Sequence, residues 1–161
     1  MLLAIAVGLL VRGGGGEDPS PAERTPAGQT ATAEVLRVVD GDTIEVSLEG
    51  RTEDVRYIGV DTPESVTPGE PVECFGRRAS DFNRRLVEGR TVSLRFDHER
   101  RDRYERLLAY VETGDRDVNA ELVRRGFART LTIAPNDSRA GMFARLEREA
   151  GRAGRGLWGA C

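Results

Sequence analysis

The stretch that decides the fold runs from Thr32 to Val60 and reads TAEVLRVVDGDTIEVSLEGRTEDVRYIGV. Polar and apolar residues alternate in three segments, 32–39, 44–50 and 53–60, and β-branched residues are frequent in all three. This pattern is typical of strands with one buried face. Asp40-Gly41-Asp42-Thr43 separates the first two segments and is a turn signal. The stretch therefore predicts a three-stranded β-meander.

The remainder of the chain predicts two more strands and three helices. Residues 90–97 and 107–113 resemble the first three strands, while apolar residues recur at helical spacing in three other segments. Those helical segments are 77–89, 117–128 and 137–154. Because one helix falls between the third and fourth strands, the order predicts an α+β fold: a five-stranded OB-type Greek-key β-barrel with three helices.

The N-terminus differs in composition from the rest of the chain. Leu2–Val11 is an apolar run of ten residues, too short to span a bilayer but typical of a signal-peptide core. We therefore expect residues 1–12 to be a signal peptide or an N-terminal membrane anchor, and residues 13–30 to be a flexible linker. Residues 31–161 are expected to form one folded domain, in a protein that is secreted or otherwise outside the cytoplasm.

The chain has two cysteines, Cys74 and Cys161. They are too few for a zinc site, which needs more ligands. An even count in an exported chain favours one disulfide, and two free thiols are the alternative. A bond between them would close most of the domain into one loop, with a stabilisation of about 4–5 kcal/mol.

Charge is distributed unevenly along the chain. The net charge is −3, and all 24 basic residues are arginine, so the protein is not a purely electrostatic nucleic-acid binder. Residues 1–72 carry 13 acidic and 5 basic side chains, whereas residues 73–161 carry 14 acidic and 19 basic ones. A basic second half beside acidic turns is compatible with a bound cation and a polyanionic partner. Ordinary solvated helix faces explain the same asymmetry.

Acidic side chains gather near one predicted rim of the barrel. The first hairpin carries Asp42, and the third strand ends in Asp61-Thr62-Pro63-Glu64. Asp42, Asp61 and the backbone carbonyl of Thr62 would supply hard oxygen ligands for Ca²⁺, completed by water. Glu64 would stand beside this site as a general base.

Two arginines are expected to flank the same rim. Arg56 precedes the acidic turn on the third strand, and Arg106 lies at the start of the fifth strand. Arginine forks match the geometry of phosphate. A cation, two arginines and a carboxylate base are what hydrolysis of a phosphodiester requires, because the anionic substrate repels hydroxide and gains charge in the transition state.

The chain resembles the staphylococcal nuclease (thermonuclease-like) family over about Thr32 to Trp158. The resemblance is carried, in order, by VVDGDTIEV, VRYIGVDTPES, ECFGRRAS, DRYERLLAYV and VNAELVRRGFA. It implies a nuclease domain in which Asp42, Asp61 and the Thr62 carbonyl bind Ca²⁺, Glu64 is the general base, and Arg56 and Arg106 contact the phosphate.

The resemblance also implies roles for two neighbouring residues and for the products. Tyr104 matches a tyrosine beside the nucleotide phosphate, and Asp40 matches an aspartate near the metal. DNA or RNA would be cut to products with 3′-phosphates. In one place the chain departs from the family, because RTLTIAPND lacks the pair of tyrosines that pack against the base. Base stacking is then weaker or supplied elsewhere.

Two other functions are compatible with an OB-type barrel. One is a non-catalytic module that binds single-stranded nucleic acid, which such barrels do with a basic groove and aromatic platforms. The other is an envelope-associated interaction module. Aromatic residues make up only 6% of the chain, and neither alternative explains why Arg56, Glu64 and Arg106 are all present. No stable protein partner is implied, and a monomer is expected.

Overall fold

The computed structural model describes residues 28–65, 69 and 71–161. The predicted signal peptide or anchor, residues 1–12, and most of the predicted linker lie outside the described residues. Within the described part, no helix has the length and apolar character needed to cross a bilayer.

The predicted meander is confirmed. It consists of β1 (Thr30–Asp40), β2 (Thr43–Leu48) and β3 (Arg51–Tyr57), paired antiparallel in chain order. Strand β1 begins inside the segment predicted as a linker. Thr30 pairs with Arg95 in the strand that follows the first helix, and Gly28 and Gln29 are hydrogen-bonded to Phe96 just beyond that strand. Of these three residues, Thr30 belongs to the sheet.

The barrel closes through the two later strands. Strand β5 (Thr91–Arg95) pairs antiparallel with β1 and with β6 (Leu107–Thr113). Strand β6 then pairs in parallel with β3, where Val55 lies opposite Leu107. This closed order, β3-β2-β1-β5-β6 and back to β3, is the predicted five-stranded OB-type barrel. Its interior is filled by fully buried aliphatic side chains: Ile44, Val46, Val55, Leu94 and Leu107.

The predicted third strand, 53–60, is divided into two. After β3 the chain turns at Gly59, whose φ is +78°, and continues as β4 (Gly59–Asp61). A Cβ on Gly59 would lie 2.7 Å from the ring of Phe143, so only glycine allows this turn under the third helix. Strand β4 pairs with a short strand that sequence reasoning did not predict, β8 (Arg129–Leu131).

Three helices pack outside the barrel, as predicted. They are α1 (Gly76–Val87), α2 (Val118–Arg124) and α3 (Ala140–Arg152). A two-residue strand, β7 (Arg116–Asp117), and a single helical turn, α4 (Leu157–Ala160), were not predicted. The second and third helices are shorter than the predicted ranges.

The ends of α2 and α3 explain their shorter length. Asp117 caps α2 by accepting a hydrogen bond from the backbone of Ala120 at 2.8 Å, and Gly126 follows α2 with φ +73°, which turns the chain out of the helix. Ser138 lies where the first turn of α3 was expected, but its backbone N and its hydroxyl both donate hydrogen bonds to Asp97.

Candidate active site

Asp42 anchors the candidate site from the turn between β1 and β2. Its side chain is buried, and its Oδ2 accepts hydrogen bonds from Thr62 N at 2.8 Å and Thr62 Oγ1 at 3.0 Å. The preceding residue, Gly41, lies so close to Thr62 that an added Cβ would be 2.5 Å from its hydroxyl oxygen. The turn and the end of β4 are therefore pressed together, and glycine is required between them.

Arg56 joins the two aspartates predicted to bind metal. Its Nη1 lies 2.6 Å from Asp42 Oδ2, and its Nη2 lies 2.8 Å from Asp61 Oδ1. Nη1 also donates to the carbonyl of Val60 at 3.1 Å. Burial raises the pKa of Asp61, and the neighbouring guanidinium opposes that rise. In this structure Arg56 is thus paired with the predicted metal ligands, whereas the resemblance to the family implies that this arginine contacts the phosphate.

Asp40 links the same turn to the loop that carries Glu64. It accepts hydrogen bonds from the hydroxyl of Ser65 and, at 2.7 Å, from Gly41 N. Burial raises the pKa of Asp40 to about 6, and the negative charges of Asp42 and Glu64 contribute to the rise. The carboxylate of Glu64 is therefore near the aspartate cluster.

Glu64 is half-buried in the described part of the loop that follows β4. Its Oε1 accepts a hydrogen bond from Ser65 N at 2.9 Å. Its backbone N donates to Glu73 Oε2 at 2.9 Å, and Glu73 N donates back to the Glu64 carbonyl at 2.9 Å. A Cβ on Gly76 would clash with that carbonyl, so the loop lies directly against the start of α1.

Arg106 and Tyr104 lie on the other side of Arg56. The three residues line one cleft of about 560 Å³. Asp102 holds Arg106 through contacts of 2.8 Å to Nε and 2.7 Å to Nη2. Tyr104 is 62% exposed, and the guanidiniums of Arg103 and Arg106 lie 4.7 and 5.5 Å from its ring centre. Arg56 is the residue common to the cleft and the aspartate cluster.

Two apolar side chains in the cleft were not predicted. Leu131 and Ile133, which are 39% and 62% exposed, lie in the segment where the family tyrosines are absent. They add exposed apolar surface to a cleft that also contains several arginines. Their alternation along RTLTIAPND was the available signal, but that pattern alone equally indicates an ordinary strand.

The donor set at the aspartate cluster suits a hard cation. Among residues 28–65, 69 and 71–161, no group of three or more Asp, Glu, His or Cys side chains converges to hold a metal. Asp42 and Asp61 are nevertheless bridged by a single guanidinium, so both carboxylates lie within reach of one positive charge. With the carbonyl of Thr62 and water, these oxygens fit the chemistry that Ca²⁺ prefers.

The two cysteines lie together, close to the loop that carries Glu64. Cys74 and Cys161 are at disulfide-bonding distance, with their Cα atoms 6.0 Å apart. Sequence reasoning did not connect this pair to the site, and it also missed Ser65 and Glu73. No sequence motif contains both Glu64 and Glu73. Their contact depends on the path of the chain between them, which the spacing does not reveal.

Comparison with known proteins places the chain among nucleases. Residues 54–160 match the family model described as staphylococcal nuclease homologue. Thermonuclease from Staphylococcus intermedius is 41% identical over 124 residues, which are 77% of this chain and 74% of that protein. Thermonuclease from Staphylococcus hyicus is 39% identical over 127 residues, 79% of this chain and 75% of that protein.

A similar protein from another genus extends the comparison. The SPbeta prophage-derived endonuclease YokF of Bacillus subtilis (strain 168) is 40% identical over 124 residues, which are 76% of this chain but 42% of that protein. The residues that match the family model include the loop with Asp61 and Glu64, both arginines, Arg56 and Arg106, and the helices around them. Together with the closed barrel, these matches establish that the chain belongs to the staphylococcal nuclease family.

Proposed function

We propose that the protein is a Ca²⁺-dependent nuclease that hydrolyses phosphodiester bonds of DNA or RNA and leaves 3′-phosphates. The observation that carries the proposal is the convergence on Arg56 of two features: a pair of carboxylates, Asp42 and Asp61, and a cleft that also contains Arg106. The named activities of the thermonuclease and endonuclease relatives support the same reaction class.

Glu64 is the proposed general base. Its carboxylate takes a proton from the attacking water, whose oxygen forms the new bond to phosphorus. The bond from phosphorus to the 5′ oxygen breaks, and that oxygen takes a proton from solvent and leaves as a hydroxyl group. When bound by Asp42, Asp61 and the Thr62 carbonyl, Ca²⁺ would supply positive charge to the phosphorane-like state.

The arginines neutralise the phosphate as it gains charge. Arg56 lies on β3 and Arg106 directly precedes β6, and these two strands are paired along the barrel, so the scaffold fixes the separation of the two arginines. Both can donate paired hydrogen bonds to phosphate oxygens. Arg56 must exchange at least one of its carboxylate partners to do so. Tyr104 contacts the nucleotide phosphate, and Leu131 and Ile133 provide an apolar wall for the base.

We also propose that the protein acts outside the cytoplasm and as a monomer. The apolar N-terminal run and the paired cysteines support export, because disulfides persist in oxidising compartments. Three of the five large apolar side chains that are exposed among the described residues, Tyr104, Leu131 and Ile133, line the cleft. Substrate would cover these three, and single exposed apolar residues such as Leu36 and Val72 are ordinary on the surface of a monomer.

The test is hydrolysis of single-stranded DNA and RNA by the full chain, with Ca²⁺ or with a chelator. Wild type should be active only with Ca²⁺. Glu64→Gln should lower kcat by about 10²–10⁴-fold, the usual contribution of a general base. Arg106→Gln should lower kcat/KM by about 10²–10³-fold. Products should carry a 5′-hydroxyl that polynucleotide kinase can label directly.

Glu149→Gln and Arg148→Gln are the matched controls, since both residues are exposed on α3. They should leave hydrolysis unchanged. A folded wild-type protein that binds single strands but cuts neither nucleic acid in Ca²⁺ would overturn the proposal, and a non-catalytic binding module would take its place.

A further inference from the structure

The loop that carries Glu64 is fixed at its far end by Glu73. The two residues form a reciprocal pair: Glu64 N donates to the Glu73 carboxylate, and Glu73 N donates to the Glu64 carbonyl, each at 2.9 Å. The pair joins the residues on the two sides of the loop, Glu64 and Glu73. The position of the Glu64 backbone therefore depends on where the chain places Glu73.

Glu73 is held by its covalent neighbour. Cys74 is bonded to Cys161, which follows the helical turn α4. The backbone of Cys161 donates to Leu157 at 3.0 Å, and Leu157 N donates to the carbonyl of Gly126 at 2.8 Å, just after α2. A continuous path of covalent and hydrogen bonds thus connects the loop to the helices outside the barrel.

The start of α1 holds this point by non-covalent contacts: Gly76 N donates to the Glu73 carbonyl at 3.0 Å, and the ring centres of Phe75 and Phe127 lie 5.3 Å apart. Phe75, the residue that caps α1, has φ +74° and provides no side-chain hydrogen bond to the helix. Gly76 packs directly against the carbonyl of Glu64, so a shift of residues 74–76 would be passed to Glu64. The disulfide is the covalent restraint that opposes such a shift.

We propose that Glu73 and the Cys74–Cys161 disulfide act together as a positioning device for Glu64, so that turnover depends on the oxidation state of this cysteine pair. The inference rests on the proposed function, because it assumes that Glu64 activates the attacking water. Glu73 and the cysteines are positioning residues, since none of them contacts the phosphate in the proposed reaction.

Opening the disulfide should affect turnover more than substrate binding. Dithiothreitol gives two electrons and two protons to the bond, which becomes two thiols, while the reagent closes to its cyclic disulfide. The loop then loses its tether to α4. Arg56 lies on β3, and Arg106 directly precedes the partner strand β6, so both should keep their positions. A displacement of about 1 Å in a reacting group can cost a hundredfold in rate.

The first experiment measures kcat and KM of the full chain on single-stranded DNA with Ca²⁺, before and after reduction and alkylation. Circular dichroism at the assay temperature establishes that the reduced protein is folded. We expect kcat to fall about tenfold to a hundredfold, with KM changed less than about twofold. Cys74→Ser combined with Cys161→Ser should behave like the reduced protein and should not respond to the reductant.

A second experiment separates positioning of Glu64 from general loosening of the fold. In the Glu64→Gln background, reduction should leave the residual rate unchanged, because the group being positioned is already gone. In the Arg106→Gln background, reduction should have its full effect. An equal loss on reduction in both backgrounds would indicate a merely structural disulfide and would overturn the inference.

A third experiment leaves the disulfide intact and changes Glu73. Glu73→Ala removes the acceptor for Glu64 N and should lower kcat about tenfold. Glu73→Gln keeps an oxygen acceptor and should restore most of the rate. If the reduced protein unfolds, this comparison decides the matter: equal turnover of Glu73→Ala and wild type would overturn the inference.

The results distinguish this inference from the proposed function. A folded, oxidised wild type that hydrolyses no nucleic acid overturns both. Hydrolysis that is fast in the oxidised protein and equally fast after reduction overturns only the positioning role and leaves the nuclease intact.

Discussion

At the scale of single residues, the site depends on the close approach of Gly41 to Thr62. Gly41→Ala would bring a methyl group to 2.5 Å from Thr62 Oγ1 and 2.8 Å from Thr62 Cβ, so the turn must move away from β4. The two hydrogen bonds from Thr62 to Asp42 would be strained or lost. We expect the free energy of unfolding to fall by about 1–3 kcal/mol, as in other overpacked sites, and nuclease activity to fall with it. Urea unfolding and hydrolysis assays measure the two effects.

Gly141→Ala is the matched control for that substitution. Gly141 lies in α3 with no atom within 4 Å of an added Cβ. Replacing glycine by alanine in a helix should raise the free energy of unfolding by up to about 1 kcal/mol without affecting hydrolysis. Equal effects of the two substitutions would contradict the steric argument for Gly41.

At the scale of elements, Asp97 connects the end of β5 to the start of α3. Its carboxylate accepts hydrogen bonds from Ser138 N at 3.1 Å, Ser138 Oγ at 2.7 Å and the hydroxyl of Tyr110 at 3.0 Å. Burial disfavours its charge, but the hydrogen bonds from Ser138 and Tyr110 outweigh burial and hold the pKa of Asp97 below its ordinary value. The charged form is therefore part of the link between strand and helix.

This lowered pKa predicts how stability depends on pH. A carboxyl group with a lower pKa in the folded state stabilises the fold above its unfolded pKa, about 4, and loses that contribution as the pH falls through its folded pKa. Asp97→Asn should cost about 2 kcal/mol of unfolding free energy at pH 7. The difference from wild type should shrink below pH 4 in urea titrations.

Asp115→Asn is the control for the pH experiment, because Asp115 is exposed at the turn between β6 and β7. It should change the free energy of unfolding by less than about 0.5 kcal/mol at any pH. A deficit of Asp97→Asn that stays constant from pH 7 to pH 3 would show that the charge of Asp97 does not contribute.

At the scale of the whole molecule, the disulfide joins residues 87 positions apart. A cross-link of this span restricts the unfolded chain, which should raise the free energy of unfolding by about 4–5 kcal/mol. Cys74→Ser combined with Cys161→Ser should lower it by that amount, and dithiothreitol should do the same to wild type. The doubly substituted protein should be insensitive to the reductant; a change below about 1 kcal/mol in either comparison would contradict the expectation.

How far the sequence predicts this molecule depends on the range of the interaction. The meander follows from alternation within segments of about eight residues, so its three strands were predicted. The division of the third strand at Gly59 was not, because its cause is the ring of Phe143, which is distant in sequence. Strand β8 was missed for a similar reason: the alternation in this segment is compatible with a strand, but three residues form one only because β4 lies beside them.

The candidate site shows the same division. The motifs indicated which side chains gather at the rim, and Asp42, Arg56 and Asp61 do converge there. The motifs could not show that Arg56 is paired with both aspartates. The motifs could not identify Glu73 either. Its contact with Glu64 depends on the path of the chain between the two residues and on a disulfide, and not on a recognisable spacing.

The bridge from Arg56 to Asp42 and Asp61 has a consequence for assembly. Two acidic side chains brought together at a rim repel each other, and many proteins with such pairs need a cation before they can fold. Here the compensating charge is built into the chain on the neighbouring strand. The polypeptide can therefore complete its fold without the proposed Ca²⁺, whose binding would be a later and separable event.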